Sequence, residues 1–319
     1  MPRPRPTVVA RAGPAVALAA ALLASCATPR GSQAALSPGS QLSAVDGARL
    51  RYHVHGSGPP IIVHPGGPGL TSAYIRMPEL ERHFTLVYLD PVGTGDSDRL
   101  ARGQYTLERY ATDLDGIRAA LGLERTWVLG HSYGGVVAQV WATSRPDRVK
   151  GLLLVATTPR IDPEWGKDME AHMKAFSGQP WYAGAVAAFP DLAASKDDAS
   201  FTAALRRLIP FGFADYTGRR AEFDPTIARY DATLEPNLPL PNGPDAPFDL
   251  RPRLSRIRAP TLILVGRHDF NCGPTYAEEM RRGITGARVV TFERSGHMPQ
   301  VEETEAFVAA VRDFLAAHP

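Results

Sequence analysis

Along the chain, strand-like and helix-like spacings of apolar residues alternate over two stretches, separated by a third stretch with neither pattern. The first begins at Arg49-Leu50-Arg51-Tyr52-His53-Val54-His55, where polar and apolar residues alternate as in a half-buried strand; the turn Gly56-Ser57-Gly58-Pro59 follows. Ile61-Ile62-Val63 and the run from Phe84 to Leu89 read as short buried strands. Leu107, Tyr110, Leu114, Ile117 and Leu121 then recur at three- and four-residue intervals and predict a helix, with Thr106 as N-cap and Gly122 as stop. A strand at Trp127-Val128-Leu129, a helix from about Gly135 to Ser144 and an apolar strand from Val149 to Val155 complete this stretch.

From about Pro159 to Pro252 the alternation stops. Prolines cluster at positions 236, 239, 241, 244 and 247, and Trp165, Trp181, Phe211 and Phe213 are scattered through the segment. It resumes with strand Thr261 to Val265, a helix around Tyr276–Arg282, a strand Ala287–Phe292 and an amphipathic helix through Phe307, Val308, Val311 and Phe314. Strands that are apolar on both faces and alternate with helices predict an α/β fold, its mostly parallel central sheet covered by helices on both sides. Residues 159–252 read as a cap or lid inserted after the sixth strand, between core segments 44–158 and 253–319. No internal repeat is present.

Composition narrows the classes. A chain of 319 residues, 44% hydrophobic and 21% charged, is long and apolar enough for a large core. Lys+Arg 35 against Asp+Glu 33 leaves a net charge of +2, and no basic run follows the first few residues, so no nucleic-acid partner is expected.

At the N-terminus, Arg3, Arg5 and Arg11 precede the run from Ala15 to Leu23, which is too short to span a bilayer and has the length of a signal-peptide core. Leu23-Ala24-Ser25-Cys26 resembles the bacterial lipobox. That resemblance implies a lipoprotein signal at residues 1–25, lipidation of Cys26, and an exported protein anchored to a bacterial membrane by its lipid. Residues 26–43, poor in apolar side chains up to Gln41, read as a flexible tether. Cys26 and Cys272 are the only cysteines, so a lipidated Cys26 excludes an intramolecular disulfide.

The chemistry concentrates at strand ends. Gly130-His131-Ser132-Tyr133-Gly134 fits G-x-S-x-G directly after an apolar strand and before a helix, the setting a nucleophile elbow requires. Acid and base are expected later in the chain, in that order. Asp269 follows the strand after the insertion, and His297 follows the next strand. Ser132 is therefore the candidate nucleophile, His297 its general base and Asp269 the acid that orients His297. His64-Pro65-Gly66-Gly67-Pro68-Gly69 follows the strand Ile61–Val63 and is the candidate oxyanion loop, with Gly67 and Tyr133 offering the two N–H groups. This chemistry needs no cofactor or metal. His53 and His55 lie on one strand face with no third ligand evident, and Cys272 has no neighbouring base in sequence, so it reads as a packed side chain.

Together these segments, with Asp90-Pro91-Val92-Gly93-Thr94-Gly95-Asp96-Ser97, resemble the proline iminopeptidase-like α/β-hydrolases, from about residue 49 to 317. The resemblance implies a mostly helical cap, a structural role for the Asp90 turn, and a serine aminopeptidase that releases an N-terminal residue, often proline, from short peptides. Pro65 stands where the family has His, with His64 one place earlier, and the cap lacks the family's Trp-Glu pair. Glu164, Glu170, Glu222 and Glu235 are the candidate carboxylates for a substrate amine. The alternative is a carboxylesterase or other small-molecule acyl hydrolase using the same triad. A catalytically silent binding protein is disfavoured by the intact triad, and epoxide or haloalkane hydrolysis by a serine where those reactions need a carboxylate.

Overall fold

A computed structural model describes residues 1–4, 36–237 and 247–319, and Leu36–Pro319 form one unit. Eight strands form one sheet: β1 (Gly39–Val45), β2 (Ala48–Gly56), β3 (Pro60–His64), β4 (Thr85–Leu89), β5 (Thr126–His131), β6 (Val149–Val155), β9 (Thr261–Gly266) and β10 (Arg288–Phe292). Their order across the sheet is β1-β2-β4-β3-β5-β6-β9-β10. From β4 to β10 all neighbours are parallel, while β2 is antiparallel to both β1 and β4.

Alternate side chains of the parallel strands enter two separate cores. Ile62, Val128, Leu152 and Ile263 pack with α1 (Leu107–Ala120) and α2 (Tyr133–Ser144), through residues such as Leu114, Ile117 and Val137. Ile61, Leu129, Leu153 and Leu262 face the opposite side, against Phe307, Val311 and Phe314. Both faces are thus removed from water, which is why these strands read as unbroken apolar runs. Helix α1 begins and ends as its sequence predicts: Thr106 Oγ1 accepts the Arg109 amide at 3.1 Å, and Gly122 turns the chain at φ +68°.

The tether expectation fails at its C-terminal end. Residues Gly39 to Gln41 and on to Val45 are a strand, not a flexible linker, and pair in register with β2 from Gly39↔Val54 to Val45↔Ala48. Asp46 and Gly47, both at positive φ, make the hairpin turn. This is an edge strand with one face in water, so its stability comes from main-chain hydrogen bonds that a scan for apolar runs does not detect. Residues 5–35, including Cys26, lie outside the described residues.

Between β6 and β9 the cap carries α3 (Pro163–Lys174), α4 (Tyr182–Val186), α5 (Ala188–Ala194), α6 (Asp198–Leu208) and α7 (Tyr216–Ala228). Its two ends meet in a small antiparallel pair, β7 (Arg160–Ile161) with β8 (Phe248–Asp249). The buried guanidinium of Arg160 secures this neck to α8 (Pro274–Gly283). It bonds Glu279 at 3.0 Å and Asp162 at 2.6 Å and lies over the Tyr276 ring. The last helix of the core is α9 (Thr304–Ala316).

Candidate active site

Parallel strands put the loops after β3, β5, β9 and β10 along one edge of the sheet, where ligands bind in such folds. Ser132, between β5 and α2, has φ +53° and ψ −122°, a strained conformation for a non-glycine residue. The two flanking glycines make it sterically possible. A side chain on Gly130 would strike the Gly134 carbonyl, and one on Gly134 would strike the carbonyls of His64 and Pro65. A main-chain bond from Ser132 N to Val155 O (2.9 Å) and a side-chain bond from Thr157 Oγ1 to Ser132 O (2.7 Å) hold the turn.

Asp269 and His297 meet after β9 and β10. His297 Nδ1 lies 2.9 Å from Asp269 Oδ2, and the other carboxylate oxygen accepts the amides of Asn271 at 3.1 Å and Cys272 at 3.0 Å. Burial favours the protonated carboxyl, but His297 and these two amides outweigh it, and the Asp269 pKa falls below its usual value. The carboxylate therefore persists as an acceptor for His297 Nδ1–H. Cys272 contributes through its main chain; burial pushes its thiol pKa well up, in keeping with a packed, protonated side chain.

The elbow meets the loop of His297 through His131. His131 Nε2 donates to the His297 carbonyl at 3.0 Å, and the two imidazole centroids are 4.8 Å apart. Among the described residues Ser132 Oγ makes no hydrogen bond, so of the three candidate residues only Asp269 and His297 are joined directly. A longer separation before substrate binds is common in such sites.

The loop after β3 approaches from the other side. Gly66 N donates to Tyr74 Oη at 2.7 Å, so that amide is occupied. Gly67, at φ +123°, keeps its N–H without a partner among the described residues, and a Cβ there would lie 2.8 Å from Gly69 N. Tyr133 is the first residue of α2. His64 is buried at the end of β3, where its ring bonds Pro65 O at 2.9 Å and burial lowers its pKa to about 4. Asp90 fastens the next turn, accepting both the amide and the hydroxyl of Ser72 at 2.7 Å. The strand histidines are separately engaged: His53 bonds Asp90 at 3.1 Å, and His55 bonds Arg76 at 3.1 Å.

The cap closes on these loops through hydrogen bonds of both main chain and side chains. Gly212 O accepts the His297 amide at 2.7 Å. Trp165 Nε1 donates to Asn271 O at 2.8 Å, and Tyr276 Oη to Asp168 at 2.8 Å. Phe270 stands edge-on to His297 with centroids 5.8 Å apart; Phe211, Trp181 and Phe176 continue behind it as an aromatic wall. Phe211 is fully buried, while Phe270 and Trp181 are only partly so.

The four cap carboxylates singled out in the sequence lie elsewhere. Glu164 is exposed and paired with Arg160 at 3.0 Å, and Glu222 is exposed and paired with Arg219. Glu170 is exposed on α3, and Glu235 begins a short 3-10 turn. None of them hydrogen-bonds Ser132, Asp269 or His297. Two other carboxylates reach the loop of His297: Glu303, which accepts the Ser295 hydroxyl at 2.8 Å, and Glu302. Glu302 is buried and bridges Gly296 N at 2.7 Å and Ala214 N of the cap at 2.8 Å. Burial raises its pKa to about 7 against these donors. Apolar periodicity gives no sign of it, nor of Tyr74, because their roles depend on main-chain partners distant in sequence.

With this geometry in place, the similarity to known proteins is informative. The family of the α/β hydrolase fold matches residues 59–304, and the chain belongs to it. A proline iminopeptidase of Heyndrickxia coagulans is 28% identical over 289 residues, covering 85% of this chain and 96% of that one. A 2-hydroxy-6-oxo-2,4-heptadienoate hydrolase of Pseudomonas putida is 29% identical over 282 residues, covering 85% and 94%. Among solved structures, the enol-lactonase of Burkholderia xenovorans superposes with a TM-score of 0.68 at 26% identity, over 86% of this chain and all (100%) of that one.

Proposed function

We propose that this hydrolase is a serine enzyme that works through an acyl-enzyme. The observation that carries the reading is the 2.9 Å bond between Asp269 and His297, beside a serine held in a strained turn at the end of β5. His297 Nε2 takes the Ser132 proton as Oγ attacks a carbonyl, then gives it to the leaving group. Water deacylates the serine by the same route in reverse. Asp269 fixes the tautomer and stabilises the imidazolium, and the N–H groups of Gly67 and Tyr133 receive the oxyanion.

For the substrate, the reading is release of an N-terminal residue, proline or another small one, from short peptides. Its support is the length and number of the proline iminopeptidase relatives and an aromatic wall beside His297 suited to a small apolar ring. A second reading, a carboxylesterase or other small-molecule acyl hydrolase, is favoured by the pairing of Glu164 and Glu222 with arginines, away from the triad. Prolyl- and alanyl-anilides compared with their N-acetylated forms and with short-chain nitrophenyl esters separate the two. Loss of cleavage on N-acetylation supports the peptidase, because a site built for an ammonium leaves a carboxylate unpaired without it. Cleavage of esters alone, or indifference to acetylation, rejects it.

The lipobox-like segment supports export and anchoring through Cys26. Cys26→Ala is expected to move the protein from the membrane fraction to the soluble one.

A further inference from the structure

His131 is the variable position of the nucleophile elbow, yet it is buried and both ring nitrogens are bonded. The direction of every bond around it can be deduced. The His297 carbonyl can only accept, so His131 Nε2 carries the proton. In a neutral ring Nδ1 is then bare and accepts the Tyr74 hydroxyl proton at 2.8 Å. The lone pairs of Tyr74 Oη are thereby left to accept the Gly66 amide at 2.7 Å. Burial holds His131 near pKa 3, so the ring stays neutral and adds no positive charge beside His297 when that imidazole protonates. Tyr74 is buried and fixed from the cap side by Tyr230, stacked on it at 4.3 Å; Tyr230 Oη in turn meets Met298 Sδ at 3.5 Å, next in chain to the base.

We propose that Tyr74 and His131 are positioning residues: as one strut, Gly66 N–H to Tyr74 to His131 to the His297 carbonyl, they fix the oxyanion loop and the base relative to each other across Ser132. The strut explains how two loops from opposite sides of the elbow keep one spacing. Gly66 lies close against both partners, since a Cβ there would be 2.9 Å from Tyr74 Oη and 3.0 Å from the Ser132 Cβ. Rotation of that peptide would carry the adjoining Gly67 N–H with it. The inference rests on the serine-hydrolase reading above.

The test first confirms that a fluorophosphonate labels the wild type and not Ser132→Ala, then measures kcat and KM for Tyr74→Phe, His131→Leu and His131→Gln on a nitrophenyl ester. Phe and Leu each break the strut, and a loss of geometry of this kind lowers kcat by roughly 10- to 100-fold with KM little changed. Gln supplies an acceptor and a donor on one side chain and restores most of kcat. Wild-type kcat in both Tyr74→Phe and His131→Leu, or a change in KM alone, overturns the strut while leaving the serine mechanism intact; an unlabelled wild type overturns that mechanism instead. Should the variants not fold, ¹⁵N NMR of the wild-type histidines decides. The strut requires a neutral, Nε2-protonated His131 from about pH 5 to about pH 9, and a charged or Nδ1-protonated ring in that range refutes it.

Discussion

The amide of His297 donates to the carbonyl of Gly212 at 2.7 Å, so the proposed base is bonded to the cap as well as to the core. The loop that carries it is held on three sides: by Gly212 from the cap, by His131 from the elbow and by Glu302 from the turn that follows. The cap is therefore part of what places the proposed base.

Gly296→Ala tests this packing. A Cβ there would lie 2.7 Å from Gly212 O, and the cap or the base loop must shift. The expected result is a fall in kcat of roughly 10- to 100-fold, the scale of a misplacement near 1 Å, read from steady-state kinetics. Kinetics equal to wild type would show that the loop does not need the close approach.

Glu302 makes stability depend on pH. Its folded pKa, about 7, lies above the ordinary 4.5 because of burial, so the folded state holds the proton more tightly than the unfolded one. Its contribution is complete below about pH 4.5 and is lost as pH rises through about 7, on the order of 3 kcal/mol over the interval. Denaturant unfolding at several pH values should show Glu302→Gln losing less stability than wild type across that window. Parallel curves would reject the assignment.

Asp269→Asn removes the charge that orients His297 and admits the wrong tautomer. A drop in kcat of roughly 10⁴-fold is expected, with fluorophosphonate labelling of Ser132 slowed in step. Ser132→Ala should abolish labelling outright.

Arg160 holds the neck of the cap. Arg160→Met leaves Glu279, itself largely buried, with Arg251 at 4.0 Å as its remaining cation, and loss of one member of a buried pair costs about 3–5 kcal/mol, an upper bound here. A lower melting temperature and faster proteolysis within the cap are expected. An unchanged melting temperature would mean that the neck does not depend on this cluster.

The sequence by itself determined the sheet, the elbow and the chain order of the candidate nucleophile, acid and base, because these rest on local patterns. Apolar runs buried on both faces announce parallel strands, and Gly130 and Gly134 announce a turn that only glycine at those positions allows. The edge strand β1 escaped notice because main-chain pairing with β2 leaves little mark on side-chain polarity. Only the tertiary structure decided which carboxylates reach the loop of His297, and that they are Glu302 and Glu303 and none of the cap glutamates. It likewise decided that Tyr74 and His131 join the two halves of the site. These roles come from hydrogen bonds between residues up to 166 positions apart, and no local period in a sequence encodes such a bond.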